Sequence, residues 1–158
     1  MQNQPSCPKI IPANKIAGHR IELRNVSIDD AEFIISLRQN KNKSRYISKT
    51  DSSVESQKKW IESYLLGEGQ AYFIMEDKNN KKIGTIRAYD QQGDSFCWGS
   101  WITSPSAPDH ASIESALILY SFMMELGFKN SHFSVRKENT SVRKFHERFG
   151  AKINNENE

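Results

Sequence analysis

The chain has only two cysteines in 158 residues, Cys7 and Cys97. They lie far apart and match no metal-ligand spacing, so neither a structural disulfide nor a zinc site is expected. Cys97 falls inside a strand-like run, where a small core residue is the simplest reading. No apolar run approaches the roughly 20 residues that a membrane-spanning helix needs. Met1 to Pro8 lacks the apolar core of a secretory signal, so the cytoplasm is the expected location and no membrane partner is expected. Charge of one sign is also scarce, since 22 Lys and Arg against 19 Asp and Glu leave a net +3. The basic residues sit in small groups: Lys41, Lys43 and Arg45; Lys81 and Lys82; Arg136 and Lys137. A nucleic-acid face would be denser and interleaved with aromatics, so no nucleic-acid partner is expected. The modest excess does suit an anionic nucleotide ligand. Internal repeats and low-complexity blocks are missing too.

What is present fits one globular domain with a single core. Residues 1–18 hold Pro5, Pro8, Pro12 and Gly18 with little periodicity, which predicts an extended leader before a domain over 19–158. Ile21 to Val26 alternates as a strand should. Ser27 then caps a helix over Ile28 to about Arg38, with Asp29 and Asp30 in its first turn and Phe33, Ile34 and Leu37 on its buried face. A polar stretch from Gln39 to Ser53 follows, and Tyr46 in its middle either lines an acceptor pocket or pins the loop to the body. A second helix runs from about Val54 to Leu66, with Trp60, Ile61, Tyr64 and Leu65 on one side and Gly67 and Gly69 ending it.

Three strands come next. Ala71 to Met75 and Lys82 to Ala88 flank a turn at Asp77–Asn80, and Gln91–Asp94 turns into Phe96–Thr103, where Gly99 can host a bulge. A long helix carries Ile113, Ala116, Leu117, Tyr120, Met123 or Met124, and Leu126 at helical spacing, with Gly127 as its stop. Phe133 and Val135 then alternate with Ser134 and Arg136 in a strand ending at Asn139. Val142, Phe145 and Phe149 give the next helix one apolar stripe, capped by Thr140 or Ser141 and stopped by Gly150. The order is strand, two helices, three antiparallel strands, helix, strand, helix: an α+β fold with a mixed, mostly antiparallel central sheet flanked by helices.

The run from Asn139 to Gly150, with Gly eleven residues after Asn, resembles the last strand-to-helix motif of the GNAT superfamily of acyl-CoA-dependent N-acetyltransferases. His146 stands where that family often has a Tyr, and Ala151 where it usually has an aromatic. The resemblance covers Ile21 to Ile153. Gly-Ser-Trp-Ile-Thr-Ser-Pro at Gly99–Pro105 and Glu-Leu-Gly-Phe at Glu125–Phe128 make it most similar to the branch acting on ribosomal-protein N-termini and on nucleotide-linked amino sugars.

That resemblance implies acetyl-CoA as co-substrate, no metal, and a small-molecule amine acceptor. Backbone N–H groups of Trp101, Ile102 or Thr103 would face the pantetheine arm, Asn139 would bond it from the other side, and His146 would give a proton to sulfur. His146 reads more simply as a partly exposed residue on a polar helix face. The phosphate loop falls at Asp109-His110-Ala111, with Ser106 where the family has Arg and Asp109 where it has Gly. An aspartate there repels pyrophosphate unless it turns away to cap the helix, and His110 and Ser112 would have to compensate as donors. Tyr46, Arg87, Tyr89 and Trp98 are the expected acceptor contacts. Asp94, Glu114 and Glu138 are the nearest acids, each more simply a surface or capping residue than a general base. The family's closing hairpin is missing, which predicts an open sheet edge or a homodimer that covers it. A protein N-terminus as acceptor, or a silent binding module, are the competing readings.

Overall fold

The computed structural model describes residues 8–39 and 54–132. The expected strand ending at Asn139, the helix expected after it, the expected open sheet edge and the loop around Tyr46 lie outside them. The described elements are β1 (Lys15–Ala17), β2 (Ile21–Asn25), a 3-10 turn (Ile28–Asp30), α1 (Ala31–Gln39), α2 (Val54–Leu66), β3 (Ala71–Asp77), β4 (Lys82–Gln92), β5 (Ser95–Thr103), α3 (His110–Glu125) and β6 (Asn130–His132). The six strands form one sheet in sequence order. All pairings are antiparallel except β5 with β6, which α3 connects as a crossover.

β3 is buried along nearly its whole length because both of its faces are covered. Ala71, Phe73 and Met75 join the core under α3, while Tyr72 and Ile74 join the smaller core under α1 and α2. The segment expected to be a leader is extended over its described part, yet it belongs to the body. Ile10 is 3% exposed, and β1 pairs antiparallel with β2. Glu114 of α3 fastens the turn between those strands by accepting the Arg20 and Ile21 backbone N–H groups at 2.8 and 2.9 Å.

Helix faces differ from the expected stripes. On α3, Ile113, Leu117 and Met124 are 48, 50 and 69% exposed, while Ala111, Ser115, Leu119 and Met123 are buried. The helix is apolar nearly all round, so spacing alone could not choose its inner face. On α2, Ile61 is fully buried and Leu65 is 46% exposed, with Trp60 and Tyr64 half-buried between them. The hairpin after β4 also turns later than expected, at Gly93 and Asp94, because β4 continues through Gln92 with Asp90 at φ +49°. At that end Ser95 Oγ lies 2.7 Å from His132 Nδ1, and Asp90 Oδ2 lies 3.4 Å from His132 Nε2, joining β4, β5 and β6 side by side.

Candidate active site

The sheet changes register where the site was expected. Between Arg87–Gly99 and Thr85–Ile102 the pairing of β4 with β5 slips, and Ser100 takes φ +47°. This is a bulge, which bends its strand and re-aims the neighbouring groups. It falls one residue after Gly99. Two side chains hold it: Thr85 Oγ1 donates to the Ser100 carbonyl at 2.7 Å, and Arg38 Nη2 of α1 donates to Ser100 Oγ at 3.3 Å. Gly99 itself leaves room for Tyr89, whose hydroxyl would sit 3.1 Å from a Cβ there. Beyond the bulge β4 and β5 close tightly again, since a Cβ on Gly84 would lie 2.5 Å from the Ile102 carbonyl oxygen. Within the described residues β6 accompanies β5 only over Ser95–Cys97.

Beside the bulge, Tyr72, Arg87 and Gly99 form one row across three strands. The Tyr72 and Arg87 side chains face α1 and α2, since Tyr72 belongs to the core on that side. The Arg87 guanidinium carbon lies 4.0 Å from the Tyr89 ring centroid, 5.7 Å from Trp60 and 5.9 Å from Tyr72. Its Nε is buried and has no hydrogen-bond partner among the described residues. Burial, reinforced by the Cys97 thiol, pushes the Tyr89 hydroxyl above its ordinary range, against the opposing influence of Arg87. Tyr89 is therefore a neutral phenol at physiological pH, able to donate as well as accept.

Trp98, expected at the acceptor wall, lies on the other face. It is 4% exposed in the core under α3, its indole Nε1 donates to Tyr120 Oη at 2.9 Å, and its ring meets Trp101 edge-on at 5.1 Å. Strand alternation is the reason: Trp98 pairs with Ala88, one residue out of phase with Arg87 and Tyr89.

Among the residues expected to hold the thioester arm and pyrophosphate, Trp101 donates its Nε1 to Ser115 Oγ of α3 at 3.1 Å, and Ile102 and Thr103 pair with Thr85 and Gly84. Asp109 occupies the N-cap position of α3, but its side chain makes no cap hydrogen bond and is exposed. The Ala111 N–H is turned back onto the Pro108 carbonyl at 3.0 Å, and Ala111 is fully buried. That leaves His110 and Ser112, both half-buried, as the side-chain donors of this end. His110 Nδ1 is a buried atom without a hydrogen-bond partner, 3.7 Å from Glu114 Oε1.

Two acids can be assigned. Burial acts to raise the Glu114 carboxyl, but the Ile21 and Arg20 N–H groups outweigh it and hold it below its ordinary range. Its role is to clamp the turn between β1 and β2. Asp94 accepts from Asn130 Nδ2 at 3.1 Å and so ties the hairpin to β6. Glu138, Tyr46, Asn139 and His146 lie outside the described residues. Among the described residues no group of three or more His, Cys, Asp or Glu is placed to hold a metal ion. Arg38, Thr85 and Ser100 escaped the sequence reading, because a bulge clamped from two sides leaves no periodic trace. Trp60 was legible only as a core position.

The fold and the bulged site can now be set beside known proteins. The family model described as an acetyltransferase (GNAT) domain matches residues 20–152. The chain therefore belongs to the GNAT acetyltransferase family, and it is an N-acetyltransferase. Among solved structures it is similar to apo FdhC, described as a nucleotide-linked sugar GNAT, with 38% identity, a TM-score of 0.81, and coverage of 94% of this chain and 86% of that one. A GNAT-family acetyltransferase from Bacillus anthracis shares 16% identity at a TM-score of 0.75, covering 89% of this chain and 85% of that one. Spermidine/spermine N-acetyltransferase SpeG from Vibrio cholerae shares 15% at 0.70, covering 86% and 80%. The latter two share the fold. No curated protein matches the chain.

Proposed function

We propose that this enzyme transfers an acetyl group from acetyl-CoA to the primary amine of a nucleotide-linked amino sugar. The observation that carries the acceptor is the 38% identity, over 94% of the chain, to a nucleotide-linked sugar GNAT. The caged guanidinium of Arg87 supports it, since a cation with a buried, unpartnered Nε suits an anionic acceptor better than a polyamine. The reaction this reading implies runs in the cytoplasm.

The N-terminal end of α3 fits the co-substrate in part. No acidic residue follows Asp109 in the first turn, but the buried His110 Nδ1 faces Glu114 Oε1 at 3.7 Å, so His110 would turn its other ring nitrogen to the ligand. When bound, acetyl-CoA supplies the activated acetyl group. His110 and Ser112 would hold its phosphates by side-chain donation, and Asp109, directed away to solvent, would set the lower limit of their affinity. Arg87 would fix the acceptor's phosphates and thereby orient its amine toward the bulge at Ser100. The Tyr89 hydroxyl, kept protonated by burial, would donate to an acceptor oxygen. α1 and α2 keep this face of the sheet dry.

The test is thiol release from acetyl-CoA against an amine panel of nucleotide-linked amino sugars, free amino sugars, polyamines and alanine-initiated peptides. Turnover should be fastest with the nucleotide-linked class. A response equal for all members, or absent for all, would overturn the reading.

A further inference from the structure

A cleft of about 140 Å³ opens at the C-terminal end of α2, lined by Trp60, Ser63, Tyr64, Gly67, Glu68 and Gln70. One wall is flat. The Trp60 and Tyr64 rings stack 5.8 Å apart at an interplanar angle of 5°. That wall is fixed, because Tyr64 Oη donates to Asn25 Oδ1 at 2.7 Å and accepts the Tyr72 N–H at 2.9 Å, while Trp60 meets Tyr72 edge-on at 5.4 Å. Gln70 stands just before β3 and lines the cleft, and its Oε1 is buried with no hydrogen-bond partner among the described residues. Such an acceptor is costly to leave unmade, so a modest turn of the amide toward a donor in the cleft is favourable.

The chemistry of the lining selects its ligand. No Lys or Arg borders the cleft, Glu68 is an anion, and the unmet group of Gln70 is its carbonyl oxygen, so the lining disfavours phosphate. A flat ring bearing an N–H donor fits the aromatic wall and the orphaned carbonyl together. The volume is that of a single six-membered ring, since a cavity of roughly 150 Å³ holds one benzene. Across the Trp60 indole, 5.7 Å from its centroid, lies the Arg87 guanidinium carbon. An anion site and a base-sized cleft thus share one tryptophan.

We propose that this cleft is the nucleobase subsite of the acceptor and that it takes a pyrimidine with an imide N–H, whose diphosphate reaches Arg87. The inference rests on the nucleotide-linked reading of the acceptor and deepens it to the class of nucleotide. A uracil-type N–H would donate to Gln70 Oε1 while its ring fills the cleft beside the stacked Trp60 and Tyr64. A purine, with two fused rings, is too large for the cleft.

Titration calorimetry on the full chain tests it, with uridine diphosphate, adenosine diphosphate and methyl diphosphate as probes. Uridine diphosphate should bind at least 10-fold more tightly than the other two. Gln70→Leu should weaken it about 10-fold without changing methyl diphosphate, and Arg87→Gln should weaken both. Ser63→Trp, at an exposed helix position, should block the cleft while thermal melting stays at the wild-type temperature, which separates loss of binding from loss of fold. Equal affinity for the three probes, an unchanged uridine diphosphate affinity in Gln70→Leu, or displacement of the nucleotide by spermidine would overturn the proposal. Thiol release measured on the same samples keeps the two readings apart. Turnover with a non-nucleotide amine and no uridine diphosphate binding sinks the subsite but leaves the transferase. Gln70-dependent nucleotide binding without turnover on any acceptor does the reverse.

Discussion

At Arg87 a requirement of function opposes one of stability. A guanidinium donor that is buried and unpaired costs about 1–3 kcal/mol, and the ring at 4.0 Å returns only part of that. Replacing Arg87 with Met should therefore leave the thermal midpoint unchanged or raise it by a few degrees, while the acceptor KM rises about 10-fold or more. Arg87→Lys keeps the charge but loses the planar stacking, and should fall between the two. Steady-state kinetics at saturating acetyl-CoA, with a melting curve for each variant, checks both. Trp98 predicts the opposite pattern. Trp98→Phe removes the indole donor to Tyr120 Oη and part of a buried ring, so it should cost about 1–3 kcal/mol in urea unfolding. The acceptor KM should stay within 2-fold of wild type, and a KM defect as large as that of Arg87→Met would return Trp98 to the acceptor wall.

Among the elements, the bulge of β5 carries the most consequence, since it turns a regular strand into a site. Ser100 holds a left-handed backbone at a cost of about 1 kcal/mol, which Thr85 and Arg38 offset by hydrogen bonding its carbonyl and hydroxyl. Thr85→Val keeps the shape of a 2% exposed side chain and deletes the donor. It should destabilise by about 1–3 kcal/mol and lower kcat several-fold with little change in KM, because the strand relaxes while the acceptor contacts persist. Urea titration and kinetics on the same preparation would show this, and a kcat equal to wild type would remove Thr85 from the positioning of the site. This element also marks how far the sequence could be read. Strand alternation and the glycine made β3, β4, β5 and the neighbourhood of the bulge legible, because period and turn chemistry are local. The clamp was not, because Arg38 lies 62 residues from Ser100. Trp98 lies on the opposite face of the sheet from Arg87 and Tyr89, which its proximity in sequence to Gly99 could not reveal. β1 hid in a Pro-containing leader, since three residues are too few to show alternation. On α3 the exposed Ile113 and Leu117 were grouped with the buried Ala116 and Met123, because the helix is apolar on both sides.

Over the whole molecule, the acid dependence of stability centres where the chain crosses from β2 into α1. Asp30 is 1% exposed and binds Arg24 through two hydrogen bonds of 2.9 Å and Lys82 Nζ at 2.7 Å, while Glu76 takes Arg24 Nε at 2.9 Å. Burial pushes the Asp30 carboxyl up, but Arg24, Lys82 and the Ser27 N–H outweigh it and bring it from 3.8 down to about 2. A carboxyl depressed in the folded state binds its proton more readily once unfolded. Its contribution is therefore complete above pH 3.8 and is lost as pH falls toward 2. Converted at 1.36 kcal/mol per pH unit, that contribution is about 2 kcal/mol. Urea unfolding followed from pH 6 to pH 2.5 should show stability declining most steeply below pH 4. Asp30→Asn should flatten that decline while lowering stability at pH 6 by about 3–5 kcal/mol, since Arg24 and Lys82 lose their buried partner. Should Asp30→Asn fail to fold, Lys82→Met removes one of the two cations, brings the folded-state carboxyl closer to its ordinary value and so makes the decline smaller. A wild-type profile flat down to pH 2.5 would mean that the network keeps no net advantage over the unfolded chain, and that the junction of β2 and α1 is held by its apolar contacts alone.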